Sequence, residues 1–340
     1  MRRIAFLTFV LASAAGWVFS QTQPLARGTV QRIKVYGKSL EGNLEGDSPD
    51  REVSIYLPPG YDKDRNRRYP VLYLLHGFNL TDEFWTGTPI PGSDVRSPNV
   101  PAAMDKLSAG GNSMIVVMPN AYTVHAGSNY SSSVTTGDWE AYIAEDLVSY
   151  VDAHYRTIPN RMSRGLAGHS MGGYGTIRIG MKRPDAFSSL YIMSACCLIN
   201  NDDKKGWPPN PQVGPSLAAA FSPNPKNPPQ YFDEPVKDGQ PQPLVVAKWA
   251  AAEPLAMIDQ YVTSLKKYQA IAVEVGLQDA LAAQNRKLDQ AMTDFGIAHT
   301  FETYEGGHVD RVPERIEGKV LPFFSKNLSR ARAGKRGVSQ

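Results

Sequence analysis

Cysteine is almost absent. The chain of 340 residues has two, and they are neighbours, Cys196 and Cys197. Adjacent thiols cannot staple distant segments, and two are too few for a metal cage. They read as small buried residues near a strand end. A fold of this length must therefore be held by core packing rather than by disulfides. Charge of one sign is lacking too. Lys and Arg total 36 against 33 Asp and Glu, and six of the cations (Arg2, Arg3, Arg330, Arg332, Lys335 and Arg336) lie at the two ends. The body between them is slightly acidic, which argues against a nucleic-acid surface. There is no H-E-x-x-H and no paired-cysteine ligand set, so neither a metal nor an organic cofactor is expected. No repeat period appears. With 42% hydrophobic and 20% charged residues, wholesale disorder is excluded.

What is present begins with the N-terminus. Arg2-Arg3 precedes Ile4 to Phe19, which stays apolar or small for 16 residues and is followed by Ser20-Gln-Thr-Gln23. That is short of the roughly 20 residues a membrane span needs. It fits a secretory signal over residues 1–20, with a mature chain starting near Gln21 in the periplasm or outside the cell, and no stable membrane anchor. Residues 21–328 read as one catalytic domain. An insert, 201–243, breaks its rhythm with 11 of the 26 prolines and no period. Residues 329–340 read as a basic flexible tail.

Val30 to Val35 and Glu52 to Leu57 read as an antiparallel pair opening a sheet. Val71 to Leu75 and Met114 to Met118 are unbroken apolar runs; Gly165 to Ala167, Leu190 to Met193, Ile271 to Val275 and Thr300 to Tyr304 continue the series. Such strands suit a sheet covered on both faces. Trp139 to Tyr155 carries Ile143, Leu147, Tyr150, Val151 and His154 on one helical stripe, and a second helix is expected from about Asp279 to Phe295. The alternation implies an α/β fold with a mostly parallel central sheet and helices on both faces.

Gly168-His-Ser-Met-Gly-Gly173 follows the strand at Gly165 to Ala167 and opens a helical stretch closed by Pro184. This is G-x-S-x-G in the strand–turn–helix setting it requires. A Cβ two residues before or after the serine would clash in so tight a turn. Ser170 is the expected nucleophile, and it needs a base and an acid later in the chain. Only His299 and His308 follow it. His299 enters a strand and reads as structural. His308, in Gly306-Gly-His308, lies just past a strand's C-terminal end, where site groups gather in an open α/β sheet. Asp279 lies three residues past the strand ending at Val275 and is the expected acid, although it could instead cap the following helix. Glu274, Asp185, Asp289, Asp294 and the acids of the insert fit worse. An oxyanion hole needs two N–H groups. Met171, after the nucleophile, and Phe78, in His76-Gly-Phe78, are placed to supply them, with His76 supporting the loop.

Tyr73-Leu-Leu-His-Gly77, Trp85, Gly137-Asp-Trp-Glu140, Glu145-Asp-Leu147, Gly168-His-Ser-Met-Gly-Gly173, Gly276 with Asp279, and Gly306-Gly-His308 together resemble the Putative esterase (esterase D-like) family of α/β-hydrolases. That family includes feruloyl and acetyl-xylan esterases, siderophore esterases, S-formylglutathione hydrolases and mycolyltransferases. The resemblance covers about residues 50–325. It implies Ser170, Asp279 and His308 as a triad and Phe78 and Met171 as oxyanion donors. The insert is a departure, longer and richer in proline than the family pattern.

The expected activity is exported serine carboxylic-ester hydrolysis on a small-molecule or polysaccharide-linked ester, such as a hydroxycinnamoyl or acetyl ester of plant polysaccharide. The alternatives are an acyltransferase of the mycolyltransferase kind, a siderophore esterase and a non-catalytic carbohydrate-binding relative. Trp85, Tyr122, Tyr130 and Trp139 could stack on an aromatic acyl group or a sugar, or could equally be packing. Trp207, Phe221, Tyr231 and Phe232 of the insert are candidate pocket walls, with the insert as a cap beside Ser170; the alternative is a solvated surface insertion.

Overall fold

The computed structural model describes residues 25–199 and 212–330. The expected signal, Trp207 and most of the expected tail lie outside them. Eight strands make the main sheet: β1 (Thr29–Tyr36), β2 (Asp50–Leu57), β3 (Val71–Leu75), β4 (Ile115–Pro119), β5 (Arg164–His169), β6 (Ser189–Met193), β7 (Ala270–Gly276) and β8 (Thr300–Tyr304). Their order across the sheet is β1-β2-β4-β3-β5-β6-β7-β8. β1 and β2 run antiparallel, as do β2 and β4; every pairing from β4 to β8 is parallel.

The apolar runs bury both faces, as their composition requires. Every residue of β3, β4 and β6 is buried. Because successive side chains alternate, β3 sends Val71, Tyr73 and Leu75 to one core and Leu72 and Leu74 to the other. The first core packs against the helical run 139–154, the elbow helix that follows Ser170 (Met171–Lys182), and α6 (Ala282–Asp294). The second packs against α1 (Val100–Ala109) and the C-terminal helical run, which ends in α7 (Leu321–Asn327).

The helix expected over 139–155 is present but not uniform. Asp138 caps it by accepting from the Ala141 N–H at 3.0 Å, and a π-turn at Tyr142–Asp146 precedes α2 (Leu147–His154). Ile143, Leu147 and Val151 are buried, whereas His154 is exposed and stacks on the half-buried Tyr150. Tyr150 packs on the edge of the core while His154 covers its ring from the solvent side. The helix expected from Asp279 begins at Ala282 and ends before Gly296, whose φ of +62° suits glycine beyond a helix end.

The described part of the insert is more regular than its composition suggests. It holds α4 (Gly214–Phe221), a short ribbon pairing Val236–Lys237 with Gln240–Pro241, and the start of α5 (Pro243–Ala250). α4 shows no amphipathic period because nearly all of it is buried. Leu217, Phe221, Phe232, Val245 and Trp249 form a third apolar cluster with Tyr174. Phe221 and Phe232 pack in this cluster and, like Tyr231, do not line the cavity at Ser170; Phe232 instead borders a separate cavity of about 610 Å³ with Asn227, Asp233 and Val245. At the other end, Ser329 and Arg330 are not free: the Ser329 N–H donates to Met162 O at 2.8 Å and Arg330 donates to Gly111 O at 3.1 Å.

Candidate active site

Ser170 sits between β5 and α3 (Met171–Lys182) with φ +59° and ψ −115°, a conformation that non-glycine residues seldom adopt. Close packing enforces the turn. A Cβ on Gly168 would come within 2.2 Å of Gly172 O, and one on Gly172 within 2.2 Å of Leu75 O. Both obstacles are main-chain atoms, so neither position admits a side chain without moving the backbone. The Ser170 N–H donates to Met193 O at 2.9 Å, and its carbonyl accepts from Tyr174 N at 3.0 Å and Cys196 N at 3.2 Å. Cys196 and the buried Cys197 are free thiols just past β6, with their sulfurs 2.8 Å apart.

Ser170 Oγ lies 2.9 Å from His308 Nε2, and His308 Nδ1 lies 2.8 Å from Asp279 Oδ2. A carboxylate only accepts, so Nδ1 carries the proton and Nε2 is left to accept from the serine hydroxyl. The Asp279 side chain is 0% exposed and the imidazole 34% exposed. Burial pushes the Asp279 carboxyl upward. The hydrogen bond and charge of His308 and the Leu281 N–H outweigh it and hold the carboxyl below its ordinary range. Asp279 uses both oxygens: Oδ1 accepts from Leu281 N at 2.8 Å in the turn before α6, whose N-cap is Leu281, while Oδ2 faces the imidazole. The loops carrying the two residues are joined. A Cβ on Gly276 would strike Gly306 O at 2.2 Å, the Gly306 N–H donates to Gln278 Oε1 at 2.7 Å, and Gly306 has φ +144°. His299 is elsewhere, paired through Nε2 with Asp289 at 2.9 Å.

The loop after β3 reaches the serine. A Cβ on Gly77 would stand 3.5 Å from Ser170 Cβ. His76 is fully buried; Nδ1 donates to Gly77 O and Nε2 accepts from Ala121 N, both at 2.8 Å. Burial lowers its pKa to about 4, so the ring is neutral and fixes the plane of the Gly77–Phe78 peptide. Met171 begins α3, so its N–H has no partner within the helix.

A cavity of about 730 Å³ opens over Ser170, Asp279 and His308. Phe78, Leu80, Phe84, Ile90, Val95 and Leu281 give it a mainly apolar wall, and Val213 brings the insert to its edge. Trp85, Tyr130 and Trp139 are not part of it. All three are buried in the cores, where Tyr130 donates to His76 O at 3.1 Å and Trp139 Nε1 to Thr136 O at 2.8 Å. Tyr122 is 39% exposed and also lies off the cavity. The wall at 90–95 was not legible, since a proline- and glycine-bearing loop has no period to follow. Nor was His169, although it lies inside the serine motif. Among the described residues, no group of three His, Cys, Asp or Glu could hold a metal ion.

Comparison with known proteins agrees with this architecture. A ferulic acid esterase superposes with a TM-score of 0.66 at 24% identity, covering 89% of this chain and 99% of its own. The feruloyl esterase module of Clostridium thermocellum gives 0.56 at 18%, covering 91% and 92%. At these identities the likeness shows the fold, which is that of the α/β-hydrolases. In sequence, an endo-1,4-beta-xylanase/feruloyl esterase of Xylanibacter ruminicola is 26% identical over 52% of this chain and 23% of its own length. An esterase of Mycobacterium tuberculosis is 33% identical over 44% of this chain and 30% of its own. The matched regions therefore span a quarter to a third of those relatives. Residues 48–312 match the family described as Putative esterase, and the chain belongs to that family.

Proposed function

We propose that the protein is a serine carboxylic-ester hydrolase that works through an acyl-enzyme, with Ser170 as nucleophile, His308 as base and Asp279 as its orienting acid. The observation that carries this reading is the hydrogen-bonded run from Asp279 Oδ2 through His308 to Ser170 Oγ, at 2.8 and 2.9 Å, beside an apolar cavity. His308 Nε2 takes the hydroxyl proton as Ser170 Oγ attacks the ester carbonyl. The Phe78 and Met171 N–H groups bind the resulting oxyanion. The C–O bond to the alcohol breaks, and the alcohol leaves with the proton from Nε2. Water then gives its proton to Nε2 and attacks the acyl carbon, and the acid departs as Ser170 regains its proton. The apolar cavity and the relatives' names support a hydroxycinnamoyl or acetyl ester of plant polysaccharide as substrate. The N-terminal pattern supports export with cleavage before Gln21.

Ser170→Ala is expected to abolish hydrolysis of p-nitrophenyl acetate, by about 10⁶ in kcat on the scale of other serine hydrolases, with the circular dichroism spectrum unchanged. Near-normal turnover would reassign the nucleophile. A panel of acetyl, butyryl and feruloyl esters tests the acyl preference, and intact mass of exported protein tests the start at Gln21.

A further inference from the structure

The residue before the nucleophile has a position that the reaction as written does not use. His169 is only 2% exposed. Its Nε2 lies 2.8 Å from the main-chain oxygen of His308, and the two imidazole rings stand 4.8 Å apart, tilted by 40°. A carbonyl oxygen accepts and never donates, so the proton of His169 is on Nε2. Nδ1 is then an acceptor, and it is buried without a partner. Burial, and the nearby His308, lower its pKa to about 3, so the ring stays uncharged beside an imidazole that must become charged.

The geometry of the His308 loop gives that single N–H its importance. Two glycines precede His308, and the imidazole is one-third exposed. Asp279 fixes Nδ1 only, which leaves the ring free to pivot about that bond and carry Nε2 away from Ser170 Oγ. Gly306 is held by Gln278 through both its N–H and its carbonyl, and the Gly307 N–H donates to Asp310 within the loop. The bond from His169 is a further anchor, and it ties the backbone of the base to the residue joined to the nucleophile. An apolar side chain of similar size would fill the space without leaving a buried nitrogen unsatisfied, so the bond to His308 O is the one feature here that needs a side-chain donor at the Nε2 position.

We propose that His169 is a positioning residue: its Nε2–H, bonded to the His308 carbonyl, sets the separation of His308 Nε2 from Ser170 Oγ. The inference rests on the reading of Ser170, His308 and Asp279 as the catalytic set. The test compares three variants of the whole chain on p-nitrophenyl acetate. Glutamine can place an amide N–H where Nε2 stands; asparagine is too short to reach, and leucine has no donor. His169→Leu and His169→Asn are expected to lose about 10–100-fold in kcat with KM little changed, as befits misplaced reacting atoms. His169→Gln is expected to stay within about threefold of the native enzyme, since its donor is kept. The downfield proton resonance of His308 Nδ1, shielded from exchange by Asp279, is expected to persist in native protein and His169→Gln and to broaden in the other two.

A folded His169→Leu protein with native kcat would overturn the proposal, and so would a His169→Gln protein as impaired as His169→Asn. Should His169→Leu fail to fold, by circular dichroism and thermal melting, the Gln–Asn pair decides. Loss of activity in Ser170→Ala and His308→Ala with none in His169→Leu would overturn this inference alone. Activity retained in Ser170→Ala would overturn the catalytic reading and this one with it.

Discussion

Glu45 is buried beside Asp47 with neither carboxyl oxygen hydrogen-bonded, and His125 Nε2 is 4.0 Å away. Burial first, then the Asp47 carboxylate, raise its pKa from 4.5 to about 9. The folded protein thus keeps a proton that the unfolded chain releases above its ordinary value. The stability linked to this group is fully present below pH 4.5 and is lost as pH climbs towards 9. Glu45→Gln removes the titration but keeps the shape. It is expected to raise the urea midpoint at pH 8 and to leave it unchanged at pH 4; an equal shift at both would refute the linkage. Asp279 has the opposite sign. Its lowered pKa gives stability present above the unfolded value and lost as pH falls through the folded one. Asp279→Asn is expected to cut kcat by up to about 10⁴, because an amide favours the wrong imidazole tautomer. Asp289→Asn, at His299, is expected to leave turnover intact. Ser170, Asp279 and His308, which the structure brings together, were legible because each lies in a glycine-bearing turn past a strand's C-terminal end; the strands before Ser170 and Asp279 are buried, whereas the one before His308 is half-exposed. Trp85, Tyr130 and Trp139 could not be placed, because a large ring with one polar atom suits a core as well as a pocket once that atom or its edge finds room.

At the scale of elements, the elbow and the cap behave differently. Gly172→Ala would drive a Cβ against a main-chain carbonyl of β3. It is expected to destroy activity and lower the melting temperature. Gly318, on an exposed helical turn with nothing within 4 Å of an added Cβ, is the control; Gly318→Ala should be neutral or stabilise by up to about 1 kcal/mol. The sheet was legible because unbroken apolar runs leave few alternatives. The cap was not, because its helix is buried nearly all round and prolines mask its ends. Phe221 and Phe232 pack in the third cluster and lie off the cavity at Ser170. Phe232→Ala is expected to cost about 3–5 kcal/mol in urea unfolding and to preserve the ranking of esters. Ile90→Ala, on the cavity wall, is expected to do the reverse: little change in stability, and lower kcat/KM on feruloyl or butyryl esters relative to acetate. If Phe232→Ala reorders the esters, the cap must reach the acyl group.

At the scale of the molecule, the described residues form three apolar clusters: one on each face of the sheet and one within the insert and the helix after it. Tyr174, in the elbow helix, joins the third to the others, and its hydroxyl donates to Ala252 O at 2.8 Å. Each cluster contains one buried tryptophan: Trp139 on one face, Trp85 on the other and Trp249 in the cap. Their settings differ. The indole N–H of Trp139 donates to a carbonyl and that of Trp249 to the Ser222 hydroxyl, while that of Trp85 has no partner. The protein therefore carries a separate optical reporter in each layer. Variants that keep one of the three, with phenylalanine at the other tryptophan positions, should emit at different wavelengths, with Trp85 the bluest. Followed through urea, the Trp249 signal should move first, since the smallest cluster opens most easily. Superimposed curves would instead mean that the third cluster and the sheet melt as one body, so that the edge of the cavity at Val213 cannot loosen while the sheet stays folded.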